Sequence, residues 1–292
     1  MILLVLTSHR MDCFSLCLEC LERHTDLAVF ERVYVLANAP APDHLHMAME
    51  FAKRHANATV VGFGPRGMAS VMEAQTVVLG KHPDSMVVKL DEDVFVTEGW
   101  LQGLIRVYAE HGKKGCALVS ALVPNNNMGK LMLDDSLRRT FPEYAANAAL
   151  HENGAVHNPD YAVWLWRMLV EGRLDLTPAR LLEGLADAPV TCYLSINCIL
   201  MDPRMLECAL PFGLLTGNAT PEMVTDEYKI NAVLRMEHVP LYGVMTPRSV
   251  AHHFSFGPQQ EALDKALSLE AIRDCLLHPR FTRANENRGQ SA

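Results

Sequence analysis

Three acidic residues, Asp91, Glu92 and Asp93, stand together where one short apolar run ends and another begins. Carboxylates this close repel one another, and each loses favourable hydration when it is buried. A divalent cation relieves both effects, and Mg²⁺ or Mn²⁺ takes oxygen ligands and often bridges to substrate phosphates. The spacing therefore indicates a metal–phosphate site, whereas the alternative is a solvated loop that caps the following helix.

The element that must position these acids is the apolar run at residues 86–90. It is short and rich in β-branched residues, which predicts a buried strand. Ligands of open α/β sheets bind outside the carboxyl ends of the strands, where the acids would stand. Lys89 interrupts the run and either offsets phosphate charge or extends its apolar stem along the strand.

The first 123 residues alternate regularly between strand and helix patterns. Further strands are predicted at residues 2–6, 32–36, 59–63 and 116–122, with helices at 11–24, 43–55, 68–80 and 99–111. Such alternation predicts an α/β fold with a mostly parallel central sheet and helices on both faces.

The chain from residue 124 onward is less regular. Helices are predicted at 161–170, 177–185, 225–235 and 261–277, and strands at 192–201 and 239–244. The stretch 124–160 is weakly patterned. We expect two halves, 1–123 and 124–279, followed by a disordered tail over 280–292.

Composition narrows the class of protein. The chain has 292 residues, is 49% hydrophobic and carries a formal net charge of −8, which argues against a nucleic-acid partner. No apolar run is long enough to span a bilayer, and the run 1–6 is too short for the core of a signal peptide. We expect a cytoplasmic protein without a transmembrane segment.

Three of the eight cysteines, Cys13, Cys17 and Cys20, have the C-x₃-C-x₂-C spacing of radical SAM iron–sulfur sites. They fall, however, on one face of the predicted helix 11–24. Free cysteine behaves as a small buried hydrophobe, so we favour a core role for all three.

Four stretches, taken in order, resemble nucleotide-sugar glycosyltransferases of the GT-A fold, particularly family 2. They are Thr7-Ser8-His9-Arg10 after the first strand, Gly64-Pro65-Arg66-Gly67 before a helix, Lys89-Leu90-Asp91-Glu92-Asp93, and Thr225-Asp226-Glu227-Tyr228 opening a helix. The resemblance implies a Rossmann-like sheet in which residues 1–123 bind the nucleotide sugar and 124–279 supply acceptor binding and catalysis.

The resemblance also implies a donor site. The residues expected to contact the donor are those of the first stretch, Thr7, Ser8, His9 and Arg10. Arg66 and Lys89 would offset the charge of the donor phosphates. Asp91 would bind the ribose or a water on the metal. Glu92 occupies the variable middle of the Asp-x-Asp motif and would face away.

The implied cofactor is a divalent metal, Mn²⁺ or Mg²⁺. Asp93 is the first candidate for direct coordination, with Asp91 beside it, and either His252 or His253 would complete the ligand set. A histidine ligand suits Mn²⁺ better than Mg²⁺. The alternative for the histidine pair is a surface turn.

The catalytic base implied for an inverting transfer is Asp226 or Glu227, with Asp226 as first choice. Both acids also fit a structural role, because acids at a helix start complement its dipole and cap free N–H groups. Trp164 and Trp166 would stack on an acceptor sugar, unless their helical spacing places them in the core.

The sequence therefore predicts a metal-dependent hexosyltransferase. It would move a sugar from a UDP- or GDP-sugar to a hydroxyl of a glycan, protein or lipid-linked acceptor, with inversion. One alternative is a sugar-nucleotide nucleotidyltransferase, which should carry a glycine-rich loop after the first strand, where this chain has no glycine. The other is a non-catalytic GT-A-like domain that binds a nucleotide sugar or a partner.

Overall fold

The computed structural model describes residues 1–64, 67–181, 183–191, 193–213, 225–236 and 238–277. Its strands are β1 (Ile2–Thr7), β2 (Arg32–Asn38), β3 (Ala58–Phe63), β4 (Val87–Asp91), β5 (Val94–Val96), β6 (Cys116–Leu122), β7 (Ala188–Val190), β8 (Cys198–Met201) and β9 (Tyr242–His253). Its α-helices are α1 (Met11–His24), α2 (Pro42–Arg54), α3 (Met68–Leu79), α4 (Trp100–His111), α5 (Asn127–Thr140), α6 (Pro142–Ala146), α7 (Pro159–Val170), α8 (Pro178–Leu181), α9 (Pro203–Ala209), α10 (Asp226–Leu234), α11 (Gly257–Ala266) and α12 (Leu269–Leu277).

In the part of the chain that the structure describes, one sheet of nine strands has the order β3-β2-β1-β4-β8-β6-β9-β5, with β7 paired to β9. The strands β3, β2, β1 and β4 run parallel. β8 lies antiparallel between β4 and β6, and β9 runs parallel to β6 and antiparallel to β5. The predicted α/β class, with a central sheet flanked by helices, is confirmed.

The two predicted halves contribute to the same sheet, because β8 and β9 come from the second half and pair with strands of the first. Their buried apolar residues form one continuous core. The roles assigned to the halves stay predictions, and the predicted tail 280–292 lies outside the described residues.

Helix α1 packs against this core as the sequence predicts. Cys13, Cys17 and Cys20 are at most 1% exposed, and burial raises the pKa of each thiol. Protonated thiols buried among aliphatic side chains are unreactive. Their core role is confirmed.

The strand predicted at 192–201 is too long. Only Cys198–Met201 pairs in the sheet, and Cys192 lies outside the described residues. The backbone N–H of Leu194 donates to the side-chain oxygen of Asn231 (2.7 Å), and the Asn231 amide donates back to the Leu194 carbonyl (3.0 Å). A side chain of α10 thus takes the hydrogen bonds that a neighbouring strand would have taken.

The strand predicted at 239–244 is too short, because β9 runs on to His253. Pro247 lies within β9 although a proline cannot donate to a sheet ladder. Pairing to β6 passes from Thr246 directly to Val250, so the proline lies in an irregularity that the sheet tolerates. The histidine pair therefore lies in a strand and not in a surface turn.

Two further boundaries differ from the prediction. The weakly patterned stretch 124–160 contains α5, whose first turn is capped by the Asn126 side chain accepting from Met128 N (3.0 Å). The helix predicted at 261–277 is two helices, and the second begins after Ser268, whose hydroxyl accepts from Ala271 N (3.2 Å). Among the described residues, none of the helices combines the length and apolar character that crossing a bilayer requires.

Candidate active site

The acidic stretch forms the turn between β4 and β5. Asp91 is the last residue of β4, and Asp93 directly precedes β5. Every β4 residue before Asp91 is buried, because β4 is flanked by β1 and β8. A rigid, central strand therefore delivers the acids to the carboxyl end of the parallel strands, as predicted.

Lys89 links this turn to α10. Its ammonium nitrogen lies 2.7 Å from Asp91 Oδ1 and 3.4 Å from Asp226 Oδ2, and the residue is 1% exposed. Burial lowers the pKa of Lys89, but the two carboxylates outweigh that effect and the net shift is upward. Lys89 is therefore a permanent cation that holds together two acids distant in sequence.

Asn197 completes the surroundings of Asp91. Its side-chain amide donates to Asp91 Oδ2 (2.9 Å), and Asp91 N donates to the Asn197 carbonyl (3.2 Å). Burial raises the pKa of Asp91, and Lys89 only partly opposes this effect. Sequence reasoning gave Asn197 no role, since nothing local indicates a contact with a residue so far away in the chain.

Asp93 contacts the end of β9. Its Oδ1 lies 3.2 Å from His253 Nε2, and the His253 ring stacks on Phe256 with centroids 4.2 Å apart. Burial alone would raise the pKa of Asp93, but the facing imidazole lowers it below its usual range. The same pairing raises the pKa of His253 despite its burial.

His252 lies elsewhere, because neighbouring residues of a strand point to opposite faces. Its ring packs against Trp166 with centroids 5.6 Å apart, and burial lowers its pKa to about 4. Of the two candidate histidines, the fold brings only His253 to Asp93.

The start of α10 carries the two acids proposed for catalysis. Thr225 caps the helix by accepting from Tyr228 N (3.2 Å), and the Asp226 carboxylate also accepts from Glu227 N (2.9 Å), so Asp226 satisfies a free N–H group of the first turn whereas Glu227 has no such contact among the described residues. Asp226 is 6% exposed and faces Lys89. Glu227 is half-buried, and its carboxylate accepts a hydrogen bond from the Tyr193 hydroxyl.

The loop after β1 borders the acidic turn. Thr7 is buried, and Glu92 faces this loop instead of pointing away from it. The His9 side chain is 75% exposed. Arg10 turns toward α11, where it lies 3.4 Å from Asp264 and 5.1 Å from the centre of the Phe254 ring. Arg66, also expected at the donor, lies outside the described residues.

The tryptophans of α7 lie among other aromatic rings. Trp166 is 1% exposed, and its indole N–H donates to the Phe254 carbonyl (3.0 Å). Trp164 is half-buried and stacks near Tyr144 and Tyr161. Acceptor stacking stays a prediction for both residues, and the packing of Trp166 is that of a core residue.

A second cluster of potential metal ligands consists of Glu110, His111 and Asp187, whose ligand atoms lie within 4.8 Å of one another. The guanidinium group of Arg248 already pairs with two of these residues, at 2.7 Å from Glu110 and 3.0 Å from Asp187. Thr246 also donates to Asp187 (2.7 Å). A cluster neutralised in this way is an ion-pair network.

Comparison with known proteins finds a likeness in structure and none in sequence. Neither a family model nor a curated protein matches the sequence. Among solved structures, the chain is similar to the mannosyltransferase PcManGT from Pyrobaculum calidifontis, solved in complex with GDP-Man and Mn²⁺. The TM-score is 0.52 at 13% identity, and the match covers 97% of this chain and 70% of that one. The chain therefore shares its fold with that mannosyltransferase.

Proposed function

We propose that this chain is a metal-dependent glycosyltransferase of the GT-A type, similar to family 2, that transfers a sugar from a nucleotide donor to an acceptor hydroxyl with inversion. One observation carries the proposal. Acids of the β4–β5 turn and of α10 converge with His253 of β9, in a fold shared with a solved mannosyltransferase.

The residues that would hold the metal are Asp93 and His253. Their facing atoms are 3.2 Å apart. Two ligands at right angles on a small divalent cation, each at about 2.1 Å, stand about 3 Å apart, so the pair fits one ion. The mixed oxygen and nitrogen donors favour Mn²⁺. When bound, the metal would stabilise the negative charge that develops on the departing nucleoside diphosphate.

Asp91 has a different role in this proposal. Both of its carboxylate oxygens already have partners, Lys89 on one side and Asn197 on the other. These contacts fix the orientation of the Asp91 carboxylate, and its oxygens can still accept a hydrogen bond from a hydroxyl group of a ligand. We assign Asp91 to a hydroxyl of the donor ribose and Lys89 to the placement of Asp91.

The acceptor hydroxyl must lose its proton as it attacks the sugar. Asp226 is buried and paired with Lys89, whereas Glu227 is half-buried and held by Tyr193. A base must reach a substrate, and a carboxylate free of a cation accepts a proton more readily. We therefore propose Glu227 as the base, in place of the first choice from sequence, and Asp226 as the partner of Lys89.

The donor class is tested by thermal shift with UDP, GDP, CDP and dTDP, each with and without Mn²⁺, and with GDP-mannose added because the solved neighbour binds it. A ligand that binds only the folded state raises the Tm by mass action. We expect a Mn²⁺-dependent rise with one nucleotide that is lost in Asp93→Ala. If no nucleotide raises the Tm, the glycosyltransferase proposal is refuted.

Catalysis is separated from mere binding by a matched pair of variants, Glu227→Gln and Asp226→Asn. We expect Glu227→Gln to bind the nucleotide as wild type does but to hydrolyse or transfer the donor sugar at least about 100-fold more slowly, the usual contribution of a general base. A non-catalytic binding domain would tolerate both changes without any functional loss.

A further inference from the structure

The buried carboxylate of Glu92 is engaged by the loop that follows β1. Three successive backbone N–H groups donate to it: Ser8 N at 2.8 Å, His9 N at 3.2 Å and Arg10 N at 3.3 Å. The residue is 7% exposed. Successive N–H groups that point into one concavity form a cradle for an anion, and here the anion belongs to the chain itself.

Two hydroxyl groups complete the cradle. Thr7 Oγ1 donates to Glu92 at 2.7 Å, and Ser8 Oγ donates at 3.3 Å. His44 of α2 lies beneath, with its Nε2 2.6 Å from Thr7 Oγ1 and 3.8 Å from Glu92. Five hydrogen-bond donors thus converge on one buried carboxylate. Together these contacts hold the loop in a single conformation.

The contacts with Glu92 limit which hydrogen-bonding groups of the loop can bind a ligand. The amide groups of residues 8–10 and the Thr7 hydroxyl are already used by Glu92. A donor phosphate cannot take those amides without displacing a carboxylate, and the two would repel each other. The exposed part of the loop is the His9 side chain, whose Nδ1 lies 3.5 Å from Glu92 and 2.6 Å from Ser8 Oγ. The loop can therefore offer a ligand the outer side of this ring but no unused amide groups of residues 8–10.

We propose that Glu92 is a positioning residue that fills this cradle, keeps phosphate out of it and fixes the loop of residues 7–10 for nucleotide binding. The nucleotide part of this inference rests on the proposed function. The role is distinct from metal binding, although Glu92 stands between Asp91 and Asp93, because its carboxylate turns toward β1 and α2.

The cradle is tested first without any nucleotide. In wild type, the amide hydrogens of residues 8–10 should exchange slowly with solvent, and in Glu92→Gln and Glu92→Ala they should exchange at least about tenfold faster. Gln keeps the shape of the side chain but presents one N–H to the donors, whereas Ala empties the cradle. Losing a multiply bonded carboxylate should lower the Tm by about 5–10 °C.

Chemical rescue separates an empty cradle from a damaged fold. Acetate should restore part of the lost Tm in Glu92→Ala, because a small carboxylate can occupy the vacated position. Sodium chloride at equal concentration should not, and Glu92→Gln should not respond to acetate. The control is Glu261→Gln, which removes the same charge from an exposed side chain that pairs with Lys265.

The nucleotide arm measures the Kd of the diphosphate that binds wild type with Mn²⁺, at a temperature well below the Tm of each variant. We expect the Kd to rise about tenfold in Glu92→Gln and Glu92→Ala and to fall again for Glu92→Ala in acetate, a recovery that lost stability alone would not produce. Equal affinity in wild type and both variants, or unprotected wild-type amides, overturns the proposal. If wild type binds no nucleotide, the proposed function fails, and exchange and rescue still decide whether Glu92 holds the loop.

Discussion

Replacing Lys89 by methionine removes the one cation found between Asp91 and Asp226 among the described residues. Methionine retains most of the buried stem but leaves two acids that were 2.7 and 3.4 Å from the ammonium group without a counter-charge. Removing one partner of a buried ion pair typically costs about 3–5 kcal/mol. At roughly 1.6 °C per kcal/mol for a chain of 292 residues, we expect the Tm to fall by about 5–8 °C.

The loss should depend on pH. Burial already raises the pKa of Asp91, and without Lys89 it should rise further. A carboxyl group whose pKa is higher in the folded chain than in the unfolded chain binds its proton more tightly when folded, so its contribution to stability falls as the pH rises. The unfolded value is about 3.9. The deficit of Lys89→Met should therefore be largest near pH 8 and shrink as the pH is lowered toward 5.

Urea denaturation and thermal melts of wild type and Lys89→Met at both pH values measure this effect. The matched control is Lys53→Met, which removes an exposed lysine that pairs with Glu50 at the surface. We expect this control to change neither the free energy of unfolding nor the Tm measurably. The reasoning is refuted if Lys89→Met loses less than about 1 kcal/mol, the most that an exposed pair contributes. A deficit equal at pH 5 and pH 8 would also refute it.

Three further outcomes are expected. His253→Ala should weaken Mn²⁺-dependent nucleotide binding at least about tenfold, whereas His252→Leu, on the opposite face of β9, should leave it unchanged in a titration calorimeter. Tyr193→Phe should slow turnover about tenfold at unchanged nucleotide affinity, because the Tyr193 hydroxyl no longer holds the Glu227 carboxylate in position; equal rates would contradict this. Trp166→Ala should lower the free energy of unfolding by about 3–5 kcal/mol in urea melts, and a surface role would give a smaller loss.

The local sequence pattern predicted the bounds of an element correctly where its hydrophobic pattern was uninterrupted. The helix Met11–His24 and the strand Cys116–Leu122 have the predicted bounds, because an amphipathic helix and an unbroken buried strand leave no competing interpretation. The acidic turn was also placed correctly at the end of its strand. These features depend on residues close together in sequence.

Long-range contacts account for most of what the sequence did not predict. Asn197 meets Asp91, and Lys89 meets Asp226, through contacts that no local pattern encodes. The orientation of Glu92 could not be read either, because it depends on how β1 and β4 align. The starts of α5 and α12 were, however, predictable from local sequence, because Asn126 and Ser268 are residue types that favour the N-cap position.

The strand order also bears on how the chain can fold as it is synthesised. β6 emerges early, yet its neighbours β8 and β9 lie about 80 and 120 residues further along the chain, and β5 pairs with β9. Until that late strand arrives, β6 and β5 present unpaired edges that invite association with other chains. A fragment ending at residue 123 should therefore aggregate, and chaperones that shield nascent chains should matter most for this protein before β9 leaves the ribosome.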